Sequence, residues 1–154
     1  MQRTVRACID GSCLGNPGPG AWAVVVADSS GPLHEWAGST PATTNNRMEL
    51  QAAIEALRRC ACACPGVRVT LVTDSRYVAT GAAEWLPAWK ARGWRTAARQ
   101  PVKNMDLWEV LDALLIELQP CWQWVQGHSG ACPFHTRADA LARETALAAA
   151  SREA

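Results

Sequence analysis

Four acidic residues carry the most chemistry in this chain. Asp10 closes an alternating segment, Val5-Arg6-Ala7-Cys8-Ile9-Asp10, and is followed by glycine. Asp74 closes a β-branched run, Val67 to Thr73. Glu49 lies next to the apolar Leu50 near the start of a helical pattern, and Asp139, the sole aspartate after Asp112, lies near the start of another. If the first and fourth strands are parallel neighbours, Asp10 and Asp74 meet at the carboxyl edge of the sheet, where open α/β sheets bind ligands. Carboxylates brought together repel unless a cation separates them. Magnesium suits such a site, because it takes hard oxygen ligands and keeps waters or phosphate oxygens. Each acid also has a plainer reading. Asp10 could close a turn, Asp74 could cap the next helix, and Glu49 and Asp139 could complement helix dipoles. The joint pattern favours the metal site.

The elements that must position these residues follow from periodicity. Strands are expected at Val5 to Asp10, Ala21 to Ala27 and Leu33 to Ser39, as an antiparallel meander, with Gly11 to Gly20 as a glycine-rich loop. Thr43-Thr44-Asn45-Asn46 offers capping side chains for a helix over Arg47 to Arg59, whose Leu50, Ala53, Ile54 and Leu57 form one apolar face. A fourth strand over Val67 to Thr73 then pairs in parallel through a right-handed crossover. Short helices are expected at Ser75 to Thr80 and Glu84 to Arg92, an irregular segment at Gly93 to Asn104, and a helix at Asp106 to Leu118. A fifth strand spans Cys121 to Val125, a loop Gln126 to Thr136, and a last Ala-rich helix Arg137 to Ala150. The fold class is therefore α/β, a five-stranded mixed sheet flanked by helices. A single domain over residues 1–154 is expected.

Composition excludes several classes. The chain has 154 residues, 49% hydrophobic and 19% charged, which fits a folded domain and not a disordered segment. The amino-terminal residues lack the apolar stretch of a signal peptide, and no later run suffices to span a bilayer, so a cytoplasmic protein without a membrane partner is expected. Seven cysteines, an odd number, argue against a disulfide framework. Cys60, Cys62 and Cys64 are spaced by two, unlike a structural zinc motif, and read as small residues at a helix end. The net charge of +1 hides an asymmetry: Lys90, Arg92, Arg95, Arg99 and Lys103 fall between Trp85 and Met105 without an intervening acid. Such a patch suits a polyanion.

The motifs resemble those of type 1 ribonucleases H. Asp10-Gly11-Ser12-Cys13-Leu14-Gly15-Asn16-Pro17-Gly18-Pro19-Gly20 resembles the family's opening motif, and Thr43-Thr44-Asn45-Asn46-Arg47-Met48-Glu49-Leu50 its second. Thr73-Asp74-Ser75-Arg76-Tyr77-Val78 is similar to the third. Trp89 to Ala97 resembles the basic protrusion, Pro101 to Trp108 follows as it would there, and Val125-Gln126-Gly127-His128-Ser129-Gly130 resembles the histidine loop. The likeness runs over roughly residues 5 to 145, in order.

The resemblance implies hydrolysis of the RNA strand of RNA–DNA hybrids, leaving 5′-phosphate and 3′-hydroxyl ends. It implies that Asp10, Glu49, Asp74 and Asp139 hold two Mg2+ ions, with Mn2+ as a substitute, one activating water and one stabilising the leaving oxygen. Glu49 would also contact a ribose 2′-hydroxyl, the group that separates RNA from DNA. His128 would act near the leaving group or in product release. Asn16 would touch the RNA strand. Thr44, Asn45 and Asn46 would bind around the minor groove and DNA backbone, Trp85 a DNA sugar, and Asn104 a DNA phosphate. Lys90, Arg92 and Arg95, with Arg99 and Lys103, would contact phosphates. Trp89 and Trp94 would form the apolar body of the protrusion. Trp22, Trp36, Trp122 and Trp124 read as core or strand-face residues. A monomer is expected, with no separate hybrid-binding domain. Eleven residues lead from His128 to Asp139, one more than in bacterial relatives, and Ala131 to Thr136 lacks the polar and acidic residues usual there. Gln126 stands where lysine is common and Pro41-Ala42 where a basic residue often stands, so weaker hybrid affinity than the family norm is expected. A binding module with lapsed catalysis, a related integrase or resolvase, and a zinc protein built on the three clustered cysteines are the competing readings.

Overall fold

A computed structural model describes residues 3–127, 129–130 and 132–153. Its five strands are β1 (Thr4–Cys13), β2 (Gly18–Asp28), β3 (Gly31–Thr43), β4 (Arg68–Thr73) and β5 (Cys121–Trp124). They form one sheet in the order β3-β2-β1-β4-β5. β1 pairs antiparallel with β2 and parallel with β4, and β4 pairs parallel with β5, as expected for a meander followed by crossovers. The helices are α1 (Asn45–Ala63), α2 (Arg76–Thr80), α3 (Leu86–Ala91), α4 (Met105–Leu118) and α5 (Pro133–Glu153). A π-helical turn over Gly81–Trp85 joins α2 to α3. Among the described residues no helix is long and apolar enough to cross a membrane.

The pleat of β1 sorts its side chains between two faces. Val5, Ala7 and Ile9 join Val24, Val26 and Leu71 in the main core, against Leu50, Ala53, Ile54 and Leu57 of α1 and Trp108 and Leu111 of α4. Each buried valine, leucine or isoleucine among them contributes about 1.5–3 kcal/mol by leaving water. Cys8 faces the other way, in a smaller cluster with Val25, Val72, Cys132 and Ala138. That second face is covered by α5, whose Ala138, Ala142, Ala146 and Ala149 are buried at helical spacing. Small side chains let this helix lie close on the sheet.

Several elements run longer than expected, β3 to Thr43 and α1 to Ala63 among them, and two of the misplaced boundaries bear on the site. The glycine-rich stretch after Asp10 is not one long loop: β1 continues through Gly11, Ser12 and Cys13, which pair with Trp22, Ala21 and Gly20. Gly11 answers a close helix and not a turn, since a Cβ there would stand 2.6 Å from the Glu49 amide nitrogen and 2.7 Å from the Met48 carbonyl carbon. The last helix begins at Pro133, not Arg137. Proline needs no amide partner in a first turn, and Thr136 already donates from its amide to the Cys132 carbonyl, at 3.0 Å.

Candidate active site

Each candidate acid sits where the fold over-determines its backbone. Asp10 lies in β1 opposite Ala23 of β2, and by the pleat it shares the α5 side of the sheet with Cys8. Glu49 is carried by α1, whose start is fixed by Thr44: its hydroxyl oxygen accepts from the Arg47 amide at 3.3 Å. Asp74 follows the last residue of β4. The Ser75 amide donates to Thr73 Oγ1 and the Ser75 hydroxyl oxygen accepts from the Val78 amide, turning the chain into α2. Asp139 lies on α5 and receives Arg143 Nη2 at 2.9 Å, one turn away. The first turns of α1 and α5 contain no acid, so Glu49 and Asp139 stand too far along their helices to act as dipole partners.

The four carboxylates meet. Asp10, Glu49, Asp74 and Asp139, with Gly11, Asn45 and Ser75, line one open polar cleft of about 290 Å³. Asp10 and Glu49 are buried, at 3% and 5% exposure. Both carboxyls are held above the usual carboxylate range, Asp10 by burial and then by the charge of Glu49, Glu49 by burial and then by the charge of Asp74. Glu49 Oε2 is buried without a hydrogen-bond partner among the described residues. A cluster short of positive charge, with an orphaned buried oxygen, fits a divalent cation. Among the described residues the cysteines are unpaired, Cys60, Cys62 and Cys64 running from buried to exposed, and no group of three or more metal-competent side chains forms around them.

His128 lies outside the described residues, but its neighbour is informative. A Cβ on Gly127 would stand 2.5 Å from Asp74 Oδ2, so only glycine lets this loop lie against that carboxylate.

One residue that the sequence reading passed over belongs here. His135, expected in a loop, lies in the first turn of α5, one helical turn before Asp139. It is 4% exposed, and its Nε2 stands 3.7 Å from Asp74 Oδ1. The signal that could have found it is Pro133, which starts the helix and puts His135 and Asp139 on one face.

The expected substrate residues surround the cleft. Asn16 and Asn45 are linked, the Asn45 amide donating to Asn16 Oδ1 at 3.1 Å. Asn46 is exposed beside them. Asn104 donates to the Tyr77 hydroxyl at 3.1 Å and accepts from Arg47 at 3.3 Å, within a polar chain that also holds Trp108. Trp85 is half-buried between Tyr77 and Trp89. Trp89 and Trp94 pack on the main core as the body of the protrusion. Lys90 pairs with Asp112, whereas Arg92, Arg95 and Arg99 line an open surface pocket. Trp22 is core and Trp36 and Trp122 border it, whereas Trp124 is 45% exposed under Arg76.

The fold and the acidic cleft define a metal-dependent phosphodiester hydrolase. Residues 2–147 match the family model for RNase H. Over 134 residues the chain is 54% identical to "Ribonuclease H" of Thermosynechococcus vestitus, covering 87% of this chain and 83% of that one. It is 52% identical over 133 residues to "Ribonuclease HI" of Pseudomonas aeruginosa, covering 86% of each. The solved structure of LC9-RNase H1, a type 1 RNase H with the type 2 active-site motif, superposes with a TM-score of 0.83 at 34% identity, over 96% of this chain and 74% of that one. The chain belongs to the ribonuclease H family, endoribonucleases that cut the RNA strand of RNA–DNA hybrids.

Proposed function

We propose that Asp10, Glu49, Asp74 and Asp139 hold two magnesium ions at the scissile phosphate of a hybrid duplex, with manganese as a substitute. The meeting of four carboxylates from β1, α1, the end of β4 and α5 in one cleft carries this reading. When bound, the ions supply an activated water and charge stabilisation for the leaving oxygen.

The chain's own residues do the rest. Asp10 and Glu49, buried and backed by β1 and α1, present oxygens that cannot swing away to solvent. Glu49 also faces the cleft floor where a ribose 2′-hydroxyl would distinguish RNA from DNA. Asp74 is held by the Ser75 turn and by Gly127 behind it. His128, next in sequence to Gly127, is assigned to proton delivery at the leaving 3′ oxygen or to product release. Asn16, held by the Asn45 amide, receives the RNA strand, and Thr44, Asn45 and Asn46 meet the minor groove and DNA backbone beside it. Trp85 packs on a DNA sugar. Asn104, braced by Arg47 and Tyr77, takes a DNA phosphate. Lys90, Arg92 and Arg95 add sequence-independent phosphate contacts.

The test is cleavage of an end-labelled RNA–DNA duplex with and without magnesium, beside RNA–RNA and DNA–DNA duplexes. Cutting confined to the hybrid's RNA strand, dependent on metal, and leaving 5′-phosphate ends is the expected result. Binding without cutting in either magnesium or manganese would instead mark a binding module.

A further inference from the structure

His135 has no task in the mechanism above, yet it lines a small pocket that adjoins the cleft and shares Asp139 with it. Its side chain is 6% exposed, and among the described residues its Nε2 has no hydrogen-bond partner. Leaving a buried polar atom unmatched costs about 1–3 kcal/mol, so such an atom pointing at a carboxylate asks for an occupant. One ligand atom from each of Asp10, Asp74 and His135 lies within 4.8 Å of the other two. Donors bound at about 2.1 Å stand about 3.0 Å apart when adjacent and about 4.2 Å apart when opposite, around an octahedral ion. The 3.7 Å between His135 Nε2 and Asp74 Oδ1 is long for a direct hydrogen bond and close enough for one ion to bridge the two atoms.

The geometry points to His135 Nε2 as a nitrogen ligand of one of the site's two ions, shared with Asp10 and Asp74. This rests on the two-ion reading given above and adds a donor of different chemistry. Magnesium is served by oxygen, whereas imidazole is a good ligand for first-row transition ions. The mixed set therefore makes magnesium a poorer match than at an all-carboxylate site, and manganese, a first-row ion, the less penalised of the two. Asp139, one turn along α5, would then face the same ions from the same helix.

The experiment is manganese binding to the full chain without nucleic acid. Electron paramagnetic resonance counts bound ions and gives Kd, and the pulsed form reads nitrogen coupling to Mn2+. We expect coupling from a directly bound imidazole in the wild type, retained in His128→Ala and lost in both His135→Asn and His135→Ala. Removing the ligand should weaken manganese binding by about tenfold and magnesium binding by less. A wild-type spectrum with manganese bound but no ligand nitrogen, coupling that survives in the His135 variants, or coupling lost in His128→Ala would overturn the assignment and leave the carboxylate site standing. Failure of the wild type to bind manganese at all would overturn both. The asparagine variant, polar and smaller than histidine, guards against a folding defect in the alanine variant.

Discussion

The cleft and the protrusion make opposite use of charge. In the cleft, like charges are forced together under burial, on backbone fixed by β1, β4, α1 and α5. In the segment from Leu86 to Asn104, single positive charges stand apart on an exposed, largely irregular backbone, over half-buried Trp89 and Trp94. The first arrangement is unfavourable until something neutralises it, so it stores a demand for cations. The second is favourable as it stands and simply adds attraction for phosphate. Chemistry needs groups fixed closely in space, whereas non-specific affinity sums over separate contacts. Substitutions should thus act as a switch in the cleft and as a dial in the protrusion.

The largest effect is expected at Asp10. Asp10→Asn keeps the shape of the side chain and removes the charge that the proposed mechanism shares between two ions, so cleavage should fall by on the order of 10³-fold or more. Gel analysis of the labelled hybrid, with circular dichroism to check the fold, reads this directly. Magnesium-dependent cleavage retained within about tenfold would sink the assignment of Asp10 to the metals and, with it, the contrast between the two regions.

Arg92, Arg95 and Arg99 test the other half. Each neutralised phosphate adds about 0.9 to the slope of log affinity against log salt on B-form duplex. Changing all three to alanine should therefore flatten the salt dependence of hybrid binding, measured by fluorescence anisotropy, by about 2 to 3. Turnover on saturating substrate should stay near wild type, because none of the three reaches the cleft. An unchanged slope would mean that hybrid runs over another surface. Arg95 already gives one donor to the Arg99 carbonyl at 3.1 Å, so the single variants should be smaller than a third of the whole and not strictly additive.

How much of this was legible depended on what fixed each element. The strands, their meander and the parallel pairing of the fourth followed from periodicity and the crossover rule, because apolar alternation in Val5 to Ile9 and the helical spacing of Leu50, Ala53, Ile54 and Leu57 encode burial directly. The four acids stood out because each read as ending or starting such an element, and the family resemblance joined them. What failed was punctuation. Gly11 reads as a breaker, but its missing side chain serves the approach of α1, a tertiary cause that composition cannot express. Pro133 also reads as a breaker, although it opens α5, and placing it in a loop hid His135. The three clustered cysteines read correctly as residues of a helix end, since Cys60 packs in the core and Cys62 faces solvent.

The smallest effect should sharpen the comparison most, because it needs no substrate. Asp10 and Glu49 titrate above their ordinary values in the folded chain, chiefly through burial. Between pH 5 and 8 the folded chain therefore holds more protons than the unfolded one, and stability must fall as pH rises through that range. Asp28, Glu35 and Asp106 shift the other way, through Ser30 and Arg3, Arg137 and Arg47 respectively. Their contributions change below pH about 4.5 and so stay constant across the window. Thermal unfolding in a chelating buffer should show Tm declining from pH 5 to 8, with Asp10→Asn declining less and standing about 1–2 kcal/mol more stable at pH 8. That difference corresponds to roughly 2–8 °C for a chain of this size. Divalent cations should lift the wild type at pH 8 and the variant much less, since bound metal replaces the protons that burial demands. A profile that is flat in both proteins, or a variant less stable than wild type at pH 8, would mean that the cleft stores no such demand, and that its acids differ from the exposed charges of the protrusion in location alone.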